Sequence, residues 1–412
     1  MLSDFEQHFG SAQALLACER ELQDRLRARG ILFGDGLLPT YAYAYLAPAS
    51  CIERWSSQAS QLIEAVERSA QQLIVDHSFY DAMGLTEQAL RLVRVHPGYD
   101  RICVLCRPDG IRTGDDMKFV EVNSDSPAMM MFIDLVAECL LELDVFAWLR
   151  PFKPPSAADH LLQTLVACYH EYGGTRSPTI AITDWAGQKT RYEHARLADH
   201  FTARGYETIV CDPRAFQRID GELRVEGRRV DLVYRRALAS EMIDRASEIA
   251  PLLDAYVDGS ICMVNPLRSF VGGVKSVLSQ ISKDTDCVPR TVLLDSDEAR
   301  KTVRTSPDKW VLKKSQSHGG EDVILPNPAT RAAWDAALTA SSREMWIAQE
   351  YLEVPKLAIS EVEGDAIVQV AKHYNWNPFM FAGKYAGGLV RVSSTPLINI
   401  TLGGGLMPTF CK

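Results

Sequence analysis

The sequence lacks the features that would place a protein across a membrane, in a secretory pathway or on a nucleic acid. Its longest apolar stretch, residues 128–149, is interrupted by four acidic side chains, which favours a packed helix over a transmembrane span. The N-terminal segment has no basic stretch followed by an apolar core, so we expect no signal peptide. A net charge of -9 argues against a surface for nucleic acid or anionic lipid.

Signatures of zinc and dinucleotide binding are also missing. Ten cysteines are scattered through the chain, but no second CxxC pair accompanies Cys103 and Cys106. We interpret these two as core thiols, because residues three apart in a strand face opposite ways. The sequence has no G-x-G-x-x-G, so nothing specific indicates a dinucleotide fold. We expect a cytoplasmic protein with reduced thiols.

The composition is that of a soluble globular protein, and the pattern changes along the chain in four parts. The 412 residues are 47% hydrophobic and 24% charged, which predicts one to three domains with a sizeable core. Residues 1–95 have helical spacing, a proline-rich linker occurs at 151–156, and the character changes again at residue 263. We therefore divide the chain into residues 1–95, 96–150, 151–262 and 263–412.

The third part contains a predicted βαβ unit. Strands are predicted over 179–183 and 207–211, with a helix over 192–204 that ends at Gly205. Such a unit favours a parallel sheet with a right-handed crossover. A short hairpin is predicted next, from Leu223–Val225 to Val230–Tyr234, and it ends at two arginines.

A polar-faced strand in the second part is a candidate metal site. If residues 118–123 form a strand, Phe119, Glu121 and Asn123 share one face, and Val120 and Val122 share the other. A carboxylate beside a carboxamide oxygen suits Mg²⁺, which uses few protein ligands and bridges substrate phosphates. The alternative is an edge strand with a solvated polar face.

The preceding segment decides whether another carboxylate joins this site. A strand is predicted over 101–106, followed by a turn at Arg107–Gly110 and a loop to about residue 117. The two strands then form a hairpin that places Asp109 either near Glu121 or far from it. The sequence leaves that register open.

The fourth part carries candidate phosphate ligands. A strand over 310–314 ends in Lys313 and Lys314, and a polar loop with Gly319 and Gly320 leads to a return strand. Glycines let backbone N–H groups approach phosphate oxygens, and a lysine supplies charge. A hairpin with surface lysines is the alternative, as a solvated side chain is for Lys275. The strand 346–352 offers main-chain groups to an adenine edge, or is simply core.

Taken in order, these segments resemble the ATP-grasp superfamily. The similar elements are Lys275, residues 311–313, His318-Gly319-Gly320, residues 347–352, Arg391 and Asn399. The strand 119–123 resembles that superfamily's Mg²⁺ strand, but it comes before the lysine segments. This order, with Arg107-x-Asp109 and Glu121-x-Asn123-x-Asp125-x-Pro127, resembles the circularly permuted members that are similar to glutathionylspermidine synthase. Residues 192–194 and 230–236 resemble the pre-ATP-grasp region of those members.

The resemblance implies an α/β (α+β) fold: a permuted ATP-grasp core, a βαβ pre-ATP-grasp subdomain at 151–262 and a helical N-terminal region. It also implies ATP and Mg²⁺ as cofactors. Arg391 and Lys313 would be catalytic, and Arg107, Arg235 and Arg236 are candidates for substrate binding, with surface arginines as the alternative for the last two. Lys313 is preferred over Lys314 because it directly follows two apolar strand residues. The implied ligands of ATP are Lys275, Lys313, Gly319, Gly320, Gln349, Glu350, Tyr351 and Leu352, and those of Mg²⁺ are Asp109, Glu121 and Asn123.

The implied activity is that of an ADP-forming carboxylate–amine ligase that makes an amide or peptide bond through an acyl phosphate. Its partners would be a small carboxylic acid and an amine, whose identities the sequence leaves open, together with the oligomeric state. A phosphotransferase on a small metabolite and a catalytically silent ATP-binding module are the alternatives. Residue 392 is Val, where the family often has an acid, and no amidase domain accompanies the ligase segments.

Overall fold

The computed structural model describes residue 9 and residues 11–316, 322–398, 400 and 404–412 as a mixed α/β protein. Several helices begin at a serine or threonine whose hydroxyl accepts the N–H three residues on, as Ser11, Thr86, Ser156 and Ser296 do. The α-helices are α1 (Ala12–Ala28), α2 (Ala49–Leu73), α3 (His77–Met83), α4 (Glu87–Val93), α5 (Met130–Leu141), α6 (Ala157–Glu171), α7 (Arg191–Ala203), α8 (Ala239–Asp244), α9 (Ala250–Val257), α10 (Val277–Ile281), α11 (Asp297–Arg304) and α12 (Arg331–Ala340).

The strands form three larger sheets and two small ones, and short 3-10 helices, such as Asp144–Phe152 and Leu267–Gly273, connect elements. No helix within the described ranges is long and apolar enough to cross a membrane. The strands are β1 (Leu32–Phe33), β2 (Gly36–Leu37), β3 (Tyr45–Ala47), β4 (Leu105–Thr113), β5 (Asp116–Asn123), β6 (Ile180–Thr183), β7 (Thr208–Cys211), β8 (Gln217–Ile219), β9 (Glu222–Val225), β10 (Arg228–Arg229), β11 (Leu232–Arg235), β12 (Cys262–Val264), β13 (Thr291–Leu293), β14 (Trp310–Lys314), β15 (Val323–Ile324), β16 (Trp346–Glu350), β17 (Lys356–Glu363), β18 (Ala366–Phe381), β19 (Lys384–Ser393) and β20 (Gly405–Cys411).

The largest sheet joins distant parts of the chain in the order β3-β20-β19-β18-β4-β5, with β17 on the outer half of β18. Its pairs are antiparallel except β3 with β20. Helix α2 packs against this sheet, and its buried Trp55 ring lies 5.6 Å from that of Trp376. The N-terminal region is thus mostly helical, but it also contributes β3 to the central sheet.

The hairpin β4–β5 differs from its prediction. Strand β4 starts at Leu105 and runs straight through the predicted turn at 107–110, and the chain reverses at Gly114 instead, where φ is +62°. The prediction was wrong because it took Pro108 and Gly110 as signals of a turn, whereas Pro108 pairs with Val122 inside the sheet. Cys103 therefore precedes the strand, and its thiol is buried, as is that of Cys106.

A bulge also changes the predicted faces of β5. Asp109 pairs with Glu121, but the next residue, Gly110, pairs with Phe119, so that Val120 is the extra residue. Such an insertion breaks the alternation of side chains. Phe119 is consequently in the core with Val122, whereas Val120 lies on the cavity side with Glu121. The prediction that Phe119 shares the polar face was wrong.

The predicted βαβ unit is present as β6–α7–β7, with β6 parallel to β7. The predicted hairpin after it was wrong in part. Strand β9 pairs with β8 and with the two-residue β10, while β11 lies in the parallel sheet between β6 and β12. The apolar residues of β11 are fully buried, and burial on both faces favours a place inside a parallel sheet.

A smaller antiparallel sheet, in the order β13-β16-β14-β15, has its own apolar core. Three tryptophans, Trp310, Trp334 and Trp346, are buried there, and the Trp334 indole N–H donates to the Trp310 carbonyl at 3.2 Å. This packing fixes the positions of β14 and β16. Because side chains alternate between the two faces of a sheet, every second residue of these strands lies on the face opposite the core.

Candidate functional site

Two cavities meet at Glu121 and Asn123, at the end of β5. The first, which we call the lysine cavity, has a volume of about 340 Å³ and contains Lys313 and Arg391. The second, which we call the serine cavity, has a volume of about 380 Å³ and contains Ser124, Ser126, Ser240 and Ser315. The predicted metal, phosphate, adenine and Arg107 positions that the structure describes all lie at the lysine cavity, except Lys275, which contacts Glu121.

The hairpin register brings the predicted metal ligands together. Asp109 lies directly opposite Glu121, and Arg107 lies opposite Asn123. The side-chain amide nitrogen of Asn123 donates to the Arg107 carbonyl on the neighbouring strand at 3.1 Å. The side-chain oxygen of Asn123 is therefore left to act as an acceptor. A carboxylate and an amide oxygen are thus fixed side by side on rigid backbone.

Arg391 reaches this hairpin from β19. It donates to one oxygen of Asp109, and Asn377 donates to the other oxygen at 3.0 Å. Arg391 is oriented by its cross-strand partner Asn375, whose side-chain oxygen accepts from the Arg391 Nε at 3.3 Å. Asn375 and Asn377 were missed by the sequence reasoning. Their spacing of two residues, as in Glu121 and Asn123, was a signal for a polar strand face.

Lys275 pairs with Glu121 from the other side. Its Nζ lies 3.2 Å from Glu121 Oε1, and the side chain is only 3% exposed. The backbone is held in place because the Lys275 N–H donates to the Ser315 carbonyl at 3.1 Å. The carbonyl belongs to the segment that leaves β14, so the position of Lys275 depends on the smaller sheet.

Lys313 approaches the same carboxylate region from β14. Its Nζ donates to the Val120 carbonyl at 3.0 Å and to Gln349 Oε1 at 2.7 Å, while the Gln349 amide donates to Thr291 Oγ1 at 3.1 Å. Burial lowers the pKa of Lys313 to about 8, against the opposing influence of Glu121. Lys314 points the other way and pairs with Glu344 at 3.1 Å.

The electrostatic balance at the lysine cavity is positive. Burial acts to raise the pKa of Glu121, but Lys275, Lys313 and Arg391 outweigh it, so the pKa lies below its usual range and the group is anionic. Arg107 adds a further cation: burial, with Arg391 nearby, lowers its pKa to about 10. Four cationic side chains surround Asp109 and Glu121, and they outnumber the carboxylates even when the exposed Glu350 is included, which suits a polyanionic ligand.

Arg107 has an unused donor. Its Nη1 donates to the Ala128 carbonyl at 2.9 Å, but its buried Nε has no hydrogen-bond partner within the part of the chain that the structure describes. A buried guanidinium N–H without an acceptor is costly, so the arrangement favours an anionic or carbonyl group of a ligand beside it.

The segment from Gln349 to Leu352 lines the lysine cavity, with its main chain only partly committed. The Glu350 N–H donates to Arg290 and the Tyr351 N–H donates to Lys309, both at 2.8 Å. No described residue accepts the Leu352 N–H, which leaves it for a ligand. The Gln349 side chain, by contrast, is used up between Lys313 and Thr291.

Arg235 and Arg236 have partners inside the protein. Arg235 is 1% exposed, pairs with Asp125 at 2.7 Å and donates to the Asn265 carbonyl at 2.9 Å. Arg236 donates to the Pro127 carbonyl and to the imidazole of His194. Burial, together with the charge of Arg236, lowers the pKa of His194 to about 3. These contacts tie the loop after β5 to the parallel sheet, and they leave substrate binding by the two arginines without support.

The same loop is held by Glu193, whose carboxylate accepts the Met129 N–H at 3.0 Å and the Met131 N–H at 3.1 Å. The sequence pattern pointed to residues 192–194 without giving this role. Gly319, Gly320 and Asn399, which the sequence also pointed to, lie outside the described residues.

The donor set fits a hard divalent cation with few protein ligands. Within the described ranges, no three His, Cys, Asp or Glu side chains are grouped so that they could hold a metal ion. Glu121 and the Asn123 oxygen are the better donors, since both Asp109 oxygens already accept hydrogen bonds. Oxygen ligands of this kind suit Mg²⁺ when phosphate oxygens and water complete its shell.

Comparisons with known proteins support the fold. No family model and no curated protein matches the chain. Among solved structures it is similar to a glutathione synthetase-like effector from Globodera pallida, with 12% identity and a TM-score of 0.65 over 98% of this chain and 99% of that one. It is also similar to the D-cycloserine synthetase DcsG (18% identity, TM-score 0.34, 56% of this chain and 72% of that one) and to the ATP-grasp ligase PsnB complexed with minimal precursor (12% identity, TM-score 0.32, 57% and 90%). The first similarity extends over both chains and shows a shared fold.

Proposed function

We propose that the protein is an ADP-forming carboxylate–amine ligase that uses ATP and Mg²⁺. The observation that carries this proposal is the convergence of three cations on Asp109 and Glu121: Lys313 and Arg391 line the lysine cavity, and Lys275 pairs with Glu121 at its edge. The largest sheet supplies Asp109, Glu121 and Arg391, the smaller antiparallel sheet supplies Lys313, and Lys275 comes from the segment before α10. No packing requirement calls for so many buried charges. The fold shared with the glutathione synthetase-like effector supports an ATP-grasp arrangement.

In this proposal ATP occupies the lysine cavity. The Leu352 N–H and the main chain after β16 face the adenine, and Val311, Leu325 and Val354 give its ring apolar walls. Lys313 and Lys275 hold the phosphates. Mg²⁺, held by Glu121 and Asn123 with Asp109 beside them, would neutralise phosphate charge when bound.

The chemistry has two steps. In the first step, a substrate carboxylate oxygen attacks the γ-phosphorus of ATP, and the bond from the γ-phosphorus to the bridging oxygen of the β-phosphate breaks. The products of this step are an acyl phosphate and ADP. An amine then attacks the acyl carbon, the C–O bond to phosphate breaks, and an amide forms; of the two protons that an ammonium group loses, phosphate takes one and the other is released.

The side chains position the reactants and offset charge more than they form bonds. Arg391, which Asp109 and Asn375 orient, faces the transferring phosphoryl group, and the Arg107 Nε donates to the carboxylate. Preorganised donors of this kind act where charge develops.

The chain order supports a finer proposal. The carboxylate hairpin β4–β5 precedes the lysine-bearing strand β14, which is the order of circularly permuted ATP-grasp proteins and of the group similar to glutathionylspermidine synthase. The division into residues 1–95, 96–150, 151–262 and 263–412 belongs to the same proposal.

Hydroxylamine trapping tests the proposal, because hydroxylamine converts an acyl phosphate to a hydroxamate without the natural amine. The purified protein is incubated with ATP, Mg²⁺, hydroxylamine and pooled carboxylic acids, and ADP, phosphate and hydroxamate are measured. We expect all three products, and their loss in Glu121→Ala and Lys313→Ala but not in Lys314→Ala. A phosphorylated metabolite without phosphate release would indicate a phosphotransferase, and ATP binding without turnover would indicate a silent module.

A further inference from the structure

The serine cavity has the opposite character to the lysine cavity, although the two share Glu121 and Asn123. Among the residues that line it in the described structure there is no lysine and no arginine, while three are acidic. The described lining therefore offers no ion pair to a carboxylate or phosphate group of a ligand, and its acidic groups favour a cation.

One of the three carboxylates is uncommitted. Glu121 pairs with Lys275 at 3.2 Å, and Asp125 pairs with Arg235 at 2.7 Å. Asp244, the last residue of α8, is exposed at the cavity and makes no ion pair with any described residue. It is therefore the carboxylate that a positively charged ligand would meet.

The remaining wall is apolar at one end and hydroxyl-lined at the other. The hydroxyl group of Ser126 lies beside the shared edge, but it donates to the Arg236 carbonyl and so presents oxygen lone pairs to the cavity. Ser124 is fully buried, and its hydroxyl donates to the Ser269 carbonyl. The apolar side chains belong to helices and loops on the far side of that edge: Met83, Leu85, Leu238, Ile243, Phe270 and Val274.

We propose that the serine cavity binds the acceptor amine, and that the acceptor is a monoamine with an apolar body and no carboxylate or phosphate. This rests on the proposed ligase function, since the shared edge at Glu121 and Asn123 is where an acyl phosphate made in the lysine cavity would be attacked. A single uncommitted carboxylate matches a single ammonium group, and the apolar wall matches the rest of the ligand. Because no described lining residue is cationic, the carboxylate of an α-amino acid would have no charged partner among them, which favours an amine without a carboxylate.

Binding to the full chain tests the proposal without turnover. Phenethylamine and phenylalanine form a matched pair that differs by the carboxylate alone, and spermidine tests the single charge. In titration calorimetry with ATP and Mg²⁺ present, we expect phenethylamine to bind at least tenfold more tightly than phenylalanine or spermidine. Equal or tighter binding of phenylalanine would contradict the claim that the acceptor carries no carboxylate. Equal or tighter binding of spermidine would contradict the claim that the acceptor has a single amino group.

Two variants locate the site. Asp244→Asn is expected to weaken phenethylamine binding by tenfold or more, whereas Asp254→Asn, an exposed acid of α9 outside both cavities, should leave it unchanged. An unchanged affinity in Asp244→Asn would place the amine elsewhere. ATP binding is measured in the same samples: its loss in Lys313→Ala tests the ligase proposal, and its retention in Asp244→Asn keeps the two outcomes separate.

Discussion

Arg391 donates a hydrogen bond to Asp109 across 282 residues of sequence. Asp109 is on β4 and Arg391 is on β19, and β18 lies between these strands in the sheet. Two asparagines of β18 complete the contact, since Asn377 donates to Asp109 and Asn375 accepts from Arg391. The pair therefore joins the carboxylate hairpin to the C-terminal strands, and it sets the edge of the lysine cavity.

Removal of either partner should show that this pair couples the two halves of the site. We expect a double-mutant cycle of Asp109→Ala and Arg391→Ala to give an interaction energy of about 1–3 kcal/mol in the free energy of unfolding, because both side chains are nearly buried. Urea denaturation of the two single variants and the double variant measures it. The exposed pair of Arg27 and Asp24 is the control, where we expect less than about 0.5 kcal/mol; equal values at the two sites would contradict the role.

The two adjacent lysines of β14 should differ in nucleotide affinity. Lys313→Ala removes a buried cation of the lysine cavity, so ATP affinity is expected to fall by about 10- to 100-fold, which corresponds to a charged hydrogen bond of about 1.5–3 kcal/mol. Lys314→Ala removes only a half-exposed partner of Glu344 and should leave the affinity unchanged. Fluorescence titration with a nucleotide analogue distinguishes them, and a larger effect at Lys314 would reverse the assignment.

The lowered pKa of Lys313 predicts a pH dependence. With a pKa of about 8 in the unliganded protein, Lys313 loses its charge as the pH rises, and ATP affinity should fall about tenfold between pH 7 and 9. Lys313→Arg stays charged and should flatten that profile. An identical slope in both proteins would assign the titration to another group.

The lowered pKa of Lys313 predicts that the stability of the unliganded protein changes with pH in the opposite direction to its ATP affinity. The pKa of Lys313 is lowered from 10.5, so between pH 8 and 10.5 the unfolded chain binds more protons at this group than the folded one. Its contribution to the stability of the unliganded protein therefore rises with pH across that window. Thermal unfolding of wild type and Lys313→Met at several pH values measures the difference.

Local patterns were enough to predict some elements but not the geometry that joins them. The βαβ unit and the strand of Lys313 follow from local spacing of apolar residues and were found correctly. The bulge at Val120 and the pairing of Asp109 with Glu121 depend on contacts between strands, so the sequence left the register open and gave Phe119 the wrong face. Arg235 and Arg236 stood out as charged residues, but only tertiary contacts show that they are internal.

The glycines before Lys275 provide a test of how that lysine is positioned. A Cβ on Gly272 would lie 2.3 Å from the Cys103 sulfur and 2.9 Å from Val66, so we expect Gly272→Ala to lower the free energy of unfolding by about 1–3 kcal/mol and to weaken ATP binding. Adding Cys103→Ala should restore part of the loss. Gly36→Ala, where nothing lies within 4 Å of the new carbon, is the control, and equal stability of the two glycine variants would show that the close approach has no consequence.

Arg235 should be required for the loop after β5 although it lies outside the lysine cavity. Arg235→Met leaves Asp125 buried without its partner and removes donors to the Asn265 and Ala237 carbonyls, so we expect a loss of about 3–5 kcal/mol in the free energy of unfolding. Arg235→Lys keeps the charge but not the fork of donors, and an intermediate loss is expected. Arg214→Ala, which breaks a more exposed pair with Asp212, should cost less than about 1 kcal/mol. If Arg235→Met were as stable as Arg214→Ala in urea denaturation, the arginine would be free to serve a substrate instead of the loop.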